Sequence, residues 1–148
     1  MLTYYDTGVL VKLYVPEAGS DGVCEFVAAR GKALLITPLH DAEARNAFAL
    51  KVFRREITPR EQRGLLRQWG QDLTTGRLGT QAVDWALVFR RTAAMSGEWT
   101  PNLGCRTLDV MHVASALILG AREFVTLDLR QRRLAESVGL ATQVPELT

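Results

Sequence analysis

The feature that most narrows the fold is an alternation of short apolar runs with longer stretches of helical periodicity. Leu2–Asp6, Ala33–Pro38 and Glu123–Asp128 are strand-length and rich in apolar or β-branched residues, and Ala141–Val144 is a weaker fourth run. Between them, Ser20–Arg30 places Val23, Phe26 and Val27 on one face, and His40–Arg55 does so with Ala44, Ala47, Phe48, Val52 and Phe53. Thr58 and Pro59 supply an N-cap and first-turn pair for a helix carrying Leu65, Leu66, Trp69 and Leu73. A further helix from about Thr80 turns Val83 and Leu87 inward, with Trp85 or Phe89. Thr107–Leu119 is apolar nearly all round, as a central helix is. Leu129–Val138 closes the chain's helical pattern, with Gly139 in the usual C-terminal capping position.

Strands separated by helices require crossover connections, which give a mainly parallel sheet with helices on both faces. The expected class is therefore α/β, and 148 residues suit one domain over 1–148. In such sheets ligands bind beyond the carboxyl ends of the strands.

Two of those strands end on an acid, Asp6 and Asp128. Glu43 follows the second strand in the first turns of its helix, and Asp109 lies in the first turn of the apolar helix. Singly, each has a plain structural use: Asp6 as a turn residue before Thr7-Gly8, Glu43 and Asp109 against a helix dipole, Asp128 as an N-cap. Gathered at one sheet edge, four carboxylates repel one another unless a cation balances them. A hard divalent ion such as magnesium, bound through carboxylate oxygens, is the natural balance, and such a site suits phosphodiester hydrolysis. Cys24 and Cys105 are too few and too far apart for zinc, although a disulfide between them stays open.

With those acids in view, the chain resembles PIN-domain ribonucleases, specifically the VapC-type toxins of type II toxin–antitoxin pairs. The resemblance runs through Y-Y-D-T-G-V-L-V-K-L-Y-V-P at 4–16, D-A-E-A-R-N-A-F at 41–48, R-T-L-D-V-M-H-V-A-S-A-L-I-L-G-A at 106–121 and F-V-T-L-D at 124–128. It implies a three-layer α/β/α PIN fold and a magnesium- or manganese-dependent endoribonuclease leaving 5′-phosphate and 3′-hydroxyl ends. The metal-binding acids map onto Asp6, Glu43, Asp109 and Asp128, with Thr126 as a supporting hydroxyl. A homodimer is implied too, as is inhibition by an antitoxin whose tail crosses the acidic groove. Gly8 departs from the pattern, standing where serine or threonine commonly helps to order a metal-bound water. That residue favours the alternative reading, a catalytically weak PIN-like module that binds RNA or protein.

Other polar residues have simpler expectations. Arg106 is expected to pair with a site acid or to contact phosphate, and His112 to be a satisfied packing histidine or a general base. His40 is expected to lie at the surface or in a loop, and Asp41 to be solvated, the first-named use being favoured for each. Trp69, Phe53 and Trp85 are expected in the core, with a dimer or antitoxin groove as the alternative use of each. Among the basic stretches, Arg130, Arg132 and Arg133 follow a candidate acid directly and are the first choice for an RNA path. The net charge is only +2, but lysine occurs at 12, 32 and 51 alone, so arginine, the better phosphate fork, supplies most of the positive charge. The same bias also follows from a GC-rich genome. Hydrophobic residues at 47% give an ordinary globular balance. No basic leader or span-length apolar run is present, so the expected compartment is the cytoplasm. The string Asp6-Thr7-Gly8 matches aspartic proteases, but those are β-proteins. A receiver domain would need a lysine after Lys51, and there is none.

Overall fold

A computed structural model describes residues 1–147. The elements run β1 (Thr3–Tyr5), α1 (Thr7–Tyr14), α2 (Ser20–Ala28), β2 (Leu34–Ile36), α3 (Pro38–Phe53), α4 (Pro59–Thr75), β3 (Leu78–Thr80), α5 (Trp85–Leu103), α6 (Thr107–Ile118), β4 (Glu123–Val125), α7 (Leu129–Ser137) and β5 (Ala141–Gln143). This is the expected mixed α/β class, and the strand pairings are parallel. The chain divides into two compact units. One comprises residues 1–6 and 82–144, the other residues 7–81 and 145–147.

The first unit is built on a three-stranded sheet in the order β1-β4-β5. Tyr4 pairs with Phe124, which pairs with Thr142. The Tyr4 and Phe124 rings stack with centroids 5.4 Å apart, and both are fully buried. Helix α6 is buried continuously from Val110 to Ala116, matching its all-round apolar sequence. Helix α5 buries Val88, Thr92 and Met95. The expected inward face was different: Leu87 and Phe89 are 39% and 60% exposed. Asp84 caps the helix by accepting from the Leu87 amide, so it starts later than Thr80 and its buried stripe is shifted.

The second unit pairs β2 with β3, Leu34 opposite Leu78 and Ile36 opposite Thr80. Neither β3 nor α1 was expected. Leu78-Gly79-Thr80 is too short to alternate, and Val9, Leu10 and Val11 make a run that carries no helical signal of its own. The core is aromatic: Trp69 meets Tyr14 and Phe48 edge-on, at centroid distances of 5.1 and 6.2 Å. Trp69 is fully buried and its Nε1 donates to Asp41 at 2.8 Å. Asp41 is therefore a structural acceptor rather than a solvated acid, and Arg45 donates to it as well.

Local signals explain the helix starts. Thr37 and Pro38 begin α3, with His40 completing a capping box by accepting from the Thr37 amide at 3.0 Å. This corrects the surface assignment of His40, which is fully buried. Thr58 caps α4 through the Glu61 amide, with Pro59 in the first turn, as expected. Phe53, by contrast, is 84% exposed at the end of α3 and does not join the core. Both cysteines are free thiols.

A charged cluster braces the second unit. Lys12 and Lys51 both donate to Glu17, and Lys51 also reaches Glu56 at 3.2 Å. Burial alone would raise the Glu17 pKa, but the hydrogen bonds and charges of the two lysines outweigh it and hold the carboxyl below its usual 4.5. A depressed folded-state pKa means stability that is fully present above pH about 4.5 and is lost as pH falls further, through the folded value. Glu17→Gln should thus cost stability at pH 6 and much less at pH 3, measured by urea denaturation. An equal cost at both pH values contradicts the assignment. The group is partly exposed, so the effect at pH 6 is modest.

Candidate active site

The first unit brings Asp6, Asp109 and Asp128 into one hydrogen-bonded arrangement. Asp6 leaves β1 with its amide donating to the Val125 carbonyl at 2.9 Å, which fixes it at the carboxyl end of the β1–β4 pair. Asp128 follows β4 and is the N-cap of α7, its Oδ1 accepting from the amides of Arg130 (2.8 Å) and Gln131 (3.0 Å). Asp109 occupies the first turn of α6. The capping role foreseen as the plain alternative for Asp128 is real, and one oxygen meets it.

Gln131, not singled out in the sequence, sits at the centre. It is fully buried. Its Nε2 donates to Asp6 Oδ1 at 3.2 Å and to the Asp109 carbonyl at 3.3 Å. Its Oε1 accepts from the Thr126 hydroxyl at 2.6 Å, and Thr126 Oγ1 in turn accepts from the Asp128 amide at 3.0 Å. Thr126, expected as a supporting hydroxyl, is fully buried and links Gln131 to Asp128. The only sequence signal for Gln131 is its place three residues after an N-capping aspartate, where a side chain commonly turns back toward the cap.

His112 is buried, as expected, and its Nδ1 shares a 2.7 Å hydrogen bond with the Tyr4 hydroxyl. Its Nε2 lies 4.0 Å from Asp6 Oδ1, so this packing histidine also faces a candidate acid. Arg106 is exposed at the N-cap of α6, and its expected ion pair with a site acid is not formed among the described residues. Arg130 reaches the Gly104 carbonyl at 3.4 Å, and Arg133 is exposed. Arg132 forms an exposed ion pair with Glu136 at 2.9 Å.

Cys105 reports the local field. Burial raises its thiol pKa, and the charges of Asp109 and Asp128 raise it further against the opposing Arg130. Both carboxylates thus act on one point.

In the second unit, Glu43 accepts from the Thr7 hydroxyl at 2.9 Å. Thr7, Gly8, Glu43, Lys12, Lys51 and Arg54 are among the residues lining a cavity of about 370 Å³ there.

The donor chemistry of the acids suits a hard divalent cation, which prefers oxygen ligands. Among the described residues no three carboxylate, imidazole or thiol groups are gathered closely enough to form a ready-made cage. Magnesium does not require one. It keeps several waters and is commonly held by one or two protein carboxylates together with substrate phosphate. The residues fit such a loosely held ion and not a closed structural site.

The family model for the PIN domain matches residues 3–137. Among curated proteins, no sequence matches. Of solved structures, FitAcB from Neisseria gonorrhoeae is similar at 16% identity with a TM-score of 0.67, covering 95% of this chain and 96% of that one. A FitAB structure bound to an IR36 DNA fragment matches at 17% identity and a TM-score of 0.69, covering 97% and 95%. VapBC2 from Rickettsia felis, bound to a DNA fragment from their promoter, matches at 14% identity and a TM-score of 0.61, covering 99% and 100%.

Proposed function

The chain belongs to the PIN-domain family, and on that premise we propose that it is a metal-dependent endoribonuclease acting as the toxin of a toxin–antitoxin pair. PIN domains are generally nucleases that use divalent metal ions. The observation that carries the reading to this chain is the Gln131-centred network, which joins Asp6, Asp109 and Asp128 within one unit. In the first unit, Asp6, Asp109 and Asp128 are proposed to hold magnesium or manganese, and Glu43 is proposed as the fourth metal-binding acid on the family resemblance alone. When bound, the ion would supply an activated water and neutralise charge building on the phosphate.

The chain's own residues have separable tasks in this proposal. Asp6 and Asp109 present carboxylate oxygens, and Asp128 keeps one oxygen for that use while the other caps α7. Thr7 orients Glu43. Arg130, Arg132 and Arg133 draw the RNA backbone toward the acids. The proposed setting is a single PIN domain over 1–148, a homodimer in the cytoplasm, inhibited by an antitoxin; the VapC-type resemblance supports that partner. No helix among the described residues is long and apolar enough to cross a membrane.

Binding only the folded protein, magnesium or manganese at a hundredfold excess over its dissociation constant should stabilise it by about 2.7 kcal/mol. Thermal denaturation with and without each ion reads this directly, and Asp109→Asn should remove most of the gain. Equal melting temperatures in metal and chelator would count against the metal site.

Gly8 favours a second reading, a binding module with weak catalysis. If the missing hydroxyl limits turnover, Gly8→Ser should raise cleavage several-fold, up to about tenfold, the effect of roughly one well-placed hydrogen bond. Cleavage unchanged by Gly8→Ser shows that the wild-type site needs no hydroxyl there.

A further inference from the structure

We propose that Gln131 is a positioning residue that sets the metal affinity of the site by holding the Asp6 carboxylate in its binding orientation. This rests on the reading that the acids take a divalent cation. A fully buried amide among carboxylates must have each end matched, because an unpaired polar group there costs free energy. Here both ends are matched in only one sense. Asp6 Oδ1 and the Asp109 carbonyl are acceptors, so the end facing them, at 3.2 and 3.3 Å, has to be the Nε2 donor. The Thr126 oxygen already accepts from the Asp128 amide, and its proton goes to Gln131 Oε1 at 2.6 Å. The amide is therefore locked, and with it the carboxylate it touches.

The choice of an amide matters. An arginine or lysine in this position would neutralise Asp6 and compete with a cation for it. Glutamine supplies direction without adding a positive charge of its own beside Asp6. Its backbone N–H also bonds Asp128, so one residue ties the backbone of Asp109 to both strand-end acids. Partners that orient metal ligands typically contribute ten- to hundredfold in affinity.

Manganese binding to the metal-free protein, followed by electron paramagnetic resonance, tests the inference without relying on catalysis. Gln131→Met keeps the chain length and removes both polar ends, and it should weaken the manganese dissociation constant by about ten- to hundredfold. A variant that folds, by circular dichroism, and binds manganese as tightly as wild type overturns the inference alone. Wild-type protein that binds no manganese overturns the metal reading, and this inference with it. Because a buried substitution can prevent folding, a second measurement uses the unaltered protein. The Gln131 side-chain amide signals in a nitrogen–proton correlation spectrum should shift as magnesium is added, with the midpoint of binding. Signals that stay fixed while magnesium saturates the protein contradict the role.

Discussion

Asp6→Asn is expected to lower metal-dependent RNA cleavage by about a thousandfold or more while leaving the fold intact. Asparagine has the shape of aspartate and can turn its carbonyl oxygen toward Gln131 Nε2, so the 3.2 Å hydrogen bond survives the change. What disappears is one negative charge from a site whose proposed work is to hold a cation against phosphate. Metal ions contribute several kcal/mol of transition-state charge stabilisation, and each 1.36 kcal/mol is tenfold in rate. Single-turnover cleavage of labelled RNA reads the loss, and thermal denaturation without metal should show the variant no less stable than wild type. If the acids form the proposed metal site, losing one of its charges in the absence of metal acts in that direction. A variant cutting within tenfold of wild type would remove Asp6 from the machinery.

The largest stability effect is expected at Trp69. Its ring is fully buried and packs edge-on against Tyr14 and Phe48. Trp69→Ala should cost about 3–5 kcal/mol from lost burial and the cavity left behind. For a chain of this size that is a melting-temperature drop on the order of 10 °C. Trp69→Phe separates the terms: it keeps most of the ring contact and loses the N–H bond to Asp41, at roughly 1 kcal/mol. Urea denaturation of the pair checks the ordering. A cost below about 1 kcal/mol for Trp69→Ala contradicts the packing described.

What could be read in the sequence follows from which forces are local. Thr58-Pro59 and the Leu129–Ser137 helix were legible because caps and periodicity act within a few residues. Asp6 and Asp128 were legible because each terminates an apolar strand, and parallel pairing of β1 with β4 brings those ends together. His40 was misread because a histidine beside a strand end looks solvent-facing. Its burial depends on a box with Thr37, in a position where glutamate or glutamine is the familiar signal. Helix α1 was missed because Val9, Leu10 and Val11 suit a strand as well as a helix, and tertiary burial decides between them. Gln131 was hidden for a different reason. It stands among three arginines in a helix that reads as charged surface, yet its partner Asp6 lies 125 residues away. No local pattern carries that contact.

Cleavage of a mixed cellular RNA pool by the purified protein tests the proposed nuclease activity most directly. It would be run with magnesium, with manganese and with chelator, beside Asp6→Asn, with the new ends mapped. Discrete cuts are expected in either metal, carrying 5′-phosphate and 3′-hydroxyl ends, and absent with chelator and in the variant. Uncut RNA in the presence of folded, partner-free protein and saturating metal would contradict the nuclease reading and leave the binding module in its place.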